Sequence, residues 1–358
     1  MFPSGSFIDS VRISSNAIVE RVNIKINTAA IDRFLDSAVF NEASYVSLSS
    51  SYSFAFPLKF DNDVDELNLI GVLALLSLSG SLDEALYRHT NRGVIDTIRA
   101  FVFSLYLSSS SSLGDDDLLS ARGMQNITRE RVAEHMQLSI HEEKPHPTIP
   151  AITVGGIGGP HLDFLSESGD VYRPGARGGG AGRPFCGAAG PDPDVVVQHL
   201  VRAFPGFQDV HLVGNQCKKA ILFVLMMAGR FKFTDDAAQG VPSSLDEIPA
   251  PADDILPSIL IYLGILDLSE WGKALAIINQ LVLPDDEVIV LRAASVCVLD
   301  AIVSRAKHPS RDEGEIDGSV NWKIKVTSCG LSAFFSGLAQ ERGDYRQLLR
   351  YVAEEAIF

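Results

Sequence analysis

The chain is short of positive charge. Across 358 residues, 30 Lys and Arg stand against 45 Asp and Glu, a net charge of −15. A duplex-binding surface needs a basic stripe to neutralise phosphates. The sequence shows none, so a long nucleic acid is not an expected partner, while a single nucleotide in a local basic pocket remains compatible. Cysteine is sparse as well. Cys186, Cys217, Cys297 and Cys329 lie far apart. They make neither a metal-type pair nor a dense disulfide framework, which points to reduced thiols in an intracellular protein. The longest apolar stretches, around Ala220–Ala228 and Ile255–Leu266, fall short of the roughly 20 residues that span a bilayer. The N-terminal MFPSGSFIDSVRISS has no signal-peptide apolar core. The expectation is a soluble cytoplasmic protein with no membrane partner.

Apolar material is plentiful, at 46% of residues against 21% charged. That suits a globular chain of one large domain or two ordinary ones. Helical periodicity dominates and strand signals are few, so the expected fold class is mainly α. Residues 9–40 read as two helices, the second behind the cap candidate Thr28, and Ser47–Ser53 as a polar break. Glu66–Leu78 is apolar nearly all round, the mark of a buried helix. Val94–Leu107 reads as helix, with strand as the alternative its aromatic and β-branched residues keep open. Ser108–Ser112 and Asp115–Asp117 read as a solvated loop. Thr128 begins a capping-box-like start to a helix running into RVAEHMQL. Pro145, Pro147 and Pro150 force an extended stretch.

Residues 166–193 are rich in Gly and Pro and nearly free of aliphatic side chains, so they read as a flexible insert. The insert divides the chain into an N-terminal helical lobe, 1–165, and a C-terminal helical lobe, 194–358, expected to act as one unit. In the second lobe, helices are expected over Val195–Phe204, Lys218–Phe231, Asp254–Leu266, Gly272–Leu281, Glu287–Ala306, Leu331–Gln340 and Tyr345–Glu355.

Five places are weighed for chemistry. Asp253 and Asp254 directly precede an apolar run in which Leu256, Ile259, Leu260 and Leu263 recur at helical spacing. An aspartate there is first a helix N-cap, and the same position can present a carboxylate at a pocket mouth. Lys218 and Lys219 open the run AILFVLMMAG. Cations at a helix start oppose its dipole, but are useful if they face an anion; two solvated lysines are the equally weighted alternative. Arg292 lies inside an apolar helix and needs an anionic partner, most commonly a structural ion pair. His135, His141 and His146 have no zinc-type spacing and read as a solvated cluster. Ile152–Pro160, ITVGGIGGP, looks briefly like a phosphate loop, yet Pro160 takes the place of the last glycine and a simple turn is the better reading.

Several blocks, in order, resemble the fungal branch of the queuosine salvage proteins, the queuosine 5′-phosphate N-glycosylases. They are Glu66-Leu-Asn-Leu, Arg92-Gly93 with Asp96-Thr-Ile-Arg99, LLSARGM, PHPTIP, TVGGIGGP, LVRAFPGFQDV, Lys218-Lys-Ala220, Asp253–Leu268 ending in YLGILDLS, LRAAS at 291–295 and ERGDYR at 341–346. The resemblance implies hydrolysis of the N-glycosidic bond of queuosine 5′-phosphate, releasing queuine for reinsertion into transfer RNA. It implies a helical fold similar to helix-hairpin-helix DNA glycosylases, and no metal or organic cofactor. By motif position Asp253 is the implied catalytic carboxylate and Lys218 the matching lysine, on the phosphate or ribose side. Lys219, Asp254 and Arg292 are the implied substrate-binding residues, with Asp254 also the expected helix cap. The chain departs from the family pattern at Ser77-Leu78, Gly80-Ser81-Leu82, Ile95, Gln216-Cys217, Pro251, Ser332 and Ser336, several of them positions where relatives carry aromatic residues. Two rival expectations follow: a homologue that binds a nucleotide or a protein without turnover, and a plain helical interaction protein.

Overall fold

The computed structural model describes residues 5–49, 63–77, 86–87, 90–109, 128–137, 192–203, 207, 217–231, 245–271, 282–308, 322–348 and 351–353. Among them, helices are α1 (Phe7–Val22), α2 (Thr28–Leu35), α3 (Glu42–Ser49), α4 (Asp63–Leu75), α5 (Val94–Ser109), α6 (Arg129–Met136), α7 (Pro193–Ala203), α8 (Lys218–Phe231), α9 (Ile255–Tyr262), α10 (Asp285–Lys307), α11 (Ser328–Glu341) and the single turn α12 (Gly343–Arg346). A 3-10 turn covers Trp322–Lys325, and the strands are two-residue pieces: β1 (Lys25–Ile26), β2 (Leu266–Asp267), β3 (Val282–Leu283) and β4 (Val352–Ala353). The chain is mainly α-helical. The Asp115–Asp117 loop, the Pro145–Pro150 stretch, the Ile152–Pro160 turn, the insert over 166–191, Gly272–Leu281, His141, His146 and Cys186 lie outside the described residues.

The chain divides into two units. One takes residues 1–54, 210–218 and 244–351; the other takes 55–209, 219–243 and 352–358. The units interleave along the sequence, whereas composition divides it at the glycine-rich insert.

The first unit is organised around α10. Residues 288–299 of this helix are all buried, as expected for a helix apolar all round and covered on every side. It packs against α1, α2, α9 and α11. Helix α1 starts at Ser6, whose side chain accepts the Asp9 N–H at 3.0 Å. Phe7, Ile8, Val11, Ser15 and Ile18 form its buried stripe. It runs antiparallel to α10: Arg12 Nε donates to Asp300 Oδ2 at 2.9 Å, and one turn on, Cys297 Sγ donates to Asn16 Oδ1 at 3.3 Å. Near the end of α10, Arg305 forks onto both oxygens of Asp32 on α2, at 2.6 and 2.9 Å.

Helix α11 lies against α3, α9 and α10. Thr327 caps it, accepting the Gly330 N–H at 3.0 Å. A Cβ at Gly337 would meet the Leu48 side chain at 2.9 Å, so the glycine permits close approach of α3. Phe34, Phe40, Tyr45, Trp322, Phe334 and Phe335 form one aromatic cluster beside this contact, with Phe40 and Phe334 edge-on at 5.4 Å. Such pairs add to the area they bury.

In the second unit α5 packs against α4 and α6. Thr128 caps α6 as the sequence predicts, accepting the Arg131 N–H at 3.3 Å. His135 on α6 shares a 2.6 Å hydrogen bond with Ser104 on α5. Glu66, buried on α4, pairs with Arg230 near the end of α8. Helix α7 buries Val196, Val197, Leu200 and Val201 at helical spacing.

Three local expectations are corrected. The cap of α2 is Asn27, not Thr28: its side chain accepts the Ala30 N–H at 3.1 Å, leaving Thr28 as the first helical residue. Ser47–Ser49 belong to α3 rather than to a polar break, because Tyr45 and Leu48 anchor that helix in the core. The helix expected over Tyr345–Glu355 is a single turn, followed by extended Val352–Ala353. At that turn Arg342 forks onto Asp344 and lies over the Tyr345 ring, whose edge meets Tyr262 at 5.8 Å. Tertiary contacts there override helical propensity.

Candidate active site

The start of α9 is the centre of the candidate site. The first four amides of a helix lack intrahelical acceptors. Asp253 Oδ1 takes two of them, from Ile255 at 3.0 Å and Leu256 at 3.2 Å. Pro257 is the third helical residue and carries no N–H, a position where proline costs nothing. Every amide in the first three residues of α9 is thereby met. Asp254 adopts helical dihedrals, φ −80° and ψ −14°, and makes no side-chain cap bond. Its backbone carbonyl accepts from Ser258 Oγ at 3.1 Å.

The capping expectation is therefore reversed. Asp253, expected at the reaction centre, caps the helix; Asp254, expected to cap, is a deeply buried carboxylate, 1% exposed. Both roles arise because two adjacent aspartates cannot occupy the same register at a helix start. The outer one curls back to the amides and the inner one enters the first turn.

Helix α9 ends at Tyr262 with Leu263 as its C-cap, and Gly264 follows at φ +67°, a left-handed conformation that glycine adopts freely. The turn hands the chain to β2, whose Leu266 pairs antiparallel with Ile26 of β1. Helix α9 is thus fixed against α10 and α11, and it also contacts β2 of the β1–β2 ribbon.

The remaining predicted site residues are buried. Arg292 on α10, the helix that packs directly on α9, is 4% exposed. Lys218 and Lys219 are 6% and 2% exposed, so they are not two solvated lysines at a helix start. The residue before them, Cys217, is buried with φ +44°, an uncommon conformation for a side chain other than glycine, Asn or Asp. The boundary between the units falls between the two lysines: Lys218 belongs with Asp253, Asp254 and Arg292 in the first unit, and Lys219 belongs to the second.

No protein-family model matches the chain, and no curated protein does.

Among the described residues, no group of three or more His, Cys, Asp or Glu is arranged to hold a metal ion. No helix there is long and apolar enough to cross a membrane. Sequence reading missed the side chains that hold the backbone leading into Asp253, namely Arg12, Cys329 and Ser332. A signal existed for two of them: Cys329 and Ser332 are small polar groups three residues apart among the apolar residues of α11, and so share a face.

Proposed function

We propose that the chain is an N-glycosyl hydrolase that cleaves queuosine 5′-phosphate to free queuine and ribose 5-phosphate, in the cytoplasm. Two things support this reading. One is the ordered series of sequence blocks similar to the queuosine salvage proteins. The other, which carries the chemistry, is the Asp253 carboxylate held by two amides at the head of α9. A mainly helical architecture agrees with the helix-hairpin-helix glycosylase likeness that the resemblance implies.

In the reaction the bond between ribose C1′ and the base nitrogen breaks, and its electron pair leaves with the base. Positive charge develops on the sugar, so a carboxylate fixed beside C1′ stabilises the transition state or attacks it. Water supplies hydroxide to C1′ and its remaining proton goes to the departing base. Asp253 takes the carboxylate role. Lys218 takes the phosphate or ribose side, where a charge-assisted contact to phosphate is strong. Asp254 and Arg292 are further members of the implied substrate-binding set.

A second reading has its own observation. Pro251 stands where the family carries phenylalanine; it is buried with its carbonyl facing Ser332, and a proline has no aromatic face on which a base could stack. That favours a homologue that binds a nucleotide without turning it over.

The deciding experiment incubates purified full-length protein with queuosine 5′-phosphate and detects free queuine by mass spectrometry. Release by the wild type and none by Asp253→Asn establishes the enzyme. Retention of intact nucleotide by a folded wild type, with no queuine formed, selects the second reading.

A further inference from the structure

The backbone from Glu247 to Ala252 is neither helix nor strand, yet Ile248, Ala250, Pro251 and Ala252 are buried. Buried backbone without a ladder partner must satisfy its polar groups elsewhere. Pro249 and Pro251 remove two donors, which leaves carbonyls as the main demand. Side chains from two helices meet it. Arg12 Nη1 on α1 donates to the Glu247 carbonyl, and its Nε is fixed by Asp300 at 2.9 Å. Asp300 also accepts from Ser328 Oγ at the start of α11. The next residue, Cys329, donates from Sγ toward the Ile248 and Pro249 carbonyls at 3.2 and 3.4 Å. Ser332 Oγ, on the same face of α11, reaches the Pro251 carbonyl at 3.4 Å, at the long end of the hydrogen-bonding range. Burial keeps the Cys329 thiol protonated well above the ordinary thiol range, so it stays a donor.

We infer that Cys329 and Ser332 are positioning residues: by holding the carbonyls of Ile248, Pro249 and Pro251 they set where the carboxylates of Asp253 and Asp254 stand. The last held carbonyl is two residues before Asp253, too short a path to absorb a displacement. Use of those carboxylates in hydrolysis rests on the function proposed above; the clamp does not. A misplacement of about 1 Å at a reacting group costs on the order of 100-fold in rate, which is the reason to hold an irregular segment so closely.

The test compares Ser332→Ala and Cys329→Ala with Ser332→Thr and Cys329→Ser, which keep a donor. Hydrogen–deuterium exchange of the full-length chain is followed in peptides covering 250–258, because the Ile255 and Leu256 amides are protected by the Asp253 carboxylate itself. The alanine variants are expected to raise exchange there about tenfold, with α1 and α10 unchanged and the donor-keeping variants close to wild type. In queuine release, the alanine variants are expected to lower kcat about tenfold or more at unchanged KM. Unaltered exchange in both alanine variants, or equal exchange in the alanine and donor-keeping variants, overturns the inference. If the wild type releases no queuine, the proposed function fails and the exchange result still decides the clamp.

Discussion

The Tyr45 hydroxyl on α3 fills the space that a Cβ on Gly330 would occupy, while accepting the Thr327 N–H at 3.2 Å. One phenol thus caps the start of α11 and fixes how close α3 lies. Gly330→Ala forces the methyl against the phenol and should cost about 1–3 kcal/mol, the range for overpacking a filled site. Tyr45→Phe removes the acceptor of a part-buried amide and should cost about 1 kcal/mol. The double variant relieves the methyl–hydroxyl collision, so its cost should be clearly less than the sum. Urea denaturation of the four proteins measures this; strict additivity would show that the two residues do not meet.

At the head of α9, charge and hydrogen bonding at Asp253 are separable. Asparagine is as good an N-cap as aspartate, whereas alanine is not. Asp253→Asn should keep the melting temperature near wild type, and Asp253→Ala should lose about 1 kcal/mol. Both should lower queuine release by at least 100- to 1000-fold, roughly the scale for deleting one electrostatic stabiliser of a transition state. Thermal melts and turnover measured on the same preparations separate the two effects. Near-normal turnover by the asparagine variant would remove Asp253 from the reaction and leave it only a cap.

What could be read from the sequence divides along a physical line. Signals contained within a few residues were legible: the Thr128 cap, the buried run in α4, the span of α8 from Lys218 to Phe231, and the mainly helical class. Choices settled by contacts distant in sequence were not. The serines of α3 look like a break until Leu48 is seated beside Gly337. Two aspartates in a row offer the same chemistry to the same helix start. The backbone that precedes them is held from Cys329 and Ser332, some 80 residues away, and such distant contacts leave no local signal of which aspartate caps and which is buried.

Alkali should unfold the first unit more readily than its composition implies. Burial pushes the Cys297 thiol up to about 12 and raises the Tyr45, Tyr345 and Tyr351 phenols. Each is an acid whose folded form favours the proton. The corresponding stability is complete below the unfolded pKa, near 9 for the thiol and about 10 for a phenol, and is lost as pH rises toward the folded value. Urea midpoints should therefore fall progressively above pH 9, and Cys297→Ala should flatten the thiol's share of that decline. Asp32 runs the other way. The hydrogen bonds from Arg305 hold its carboxyl below the usual range, so its contribution is present above the unfolded pKa and lost as pH falls through the folded one. With both partners more than a third exposed, that acid effect should be small. A midpoint unchanged between pH 8 and pH 11 would contradict the burial of these groups.

The Glu66–Arg230 pair tests how the second unit tolerates a buried charge. The Glu66 side chain is 8% exposed and Arg230 31%, so the carboxylate is sequestered while the guanidinium keeps part of its water. Breaking such a pair from the solvated side strands the buried charge. The usual cost is about 3–5 kcal/mol, and the partial exposure of Arg230 moves the expectation for Arg230→Met toward about 2–3 kcal/mol. Glu66→Leu, which removes the buried charge and leaves the cation free to turn to solvent, should cost less. The double variant should recover most of the loss, because apolar groups of similar size replace a buried pair without its desolvation penalty. Urea denaturation of the wild type, both single variants and the double variant gives the coupling directly. A single-variant loss below about 0.5 kcal/mol for Arg230→Met would match an exposed surface pair and would mean that Glu66 is solvated in solution.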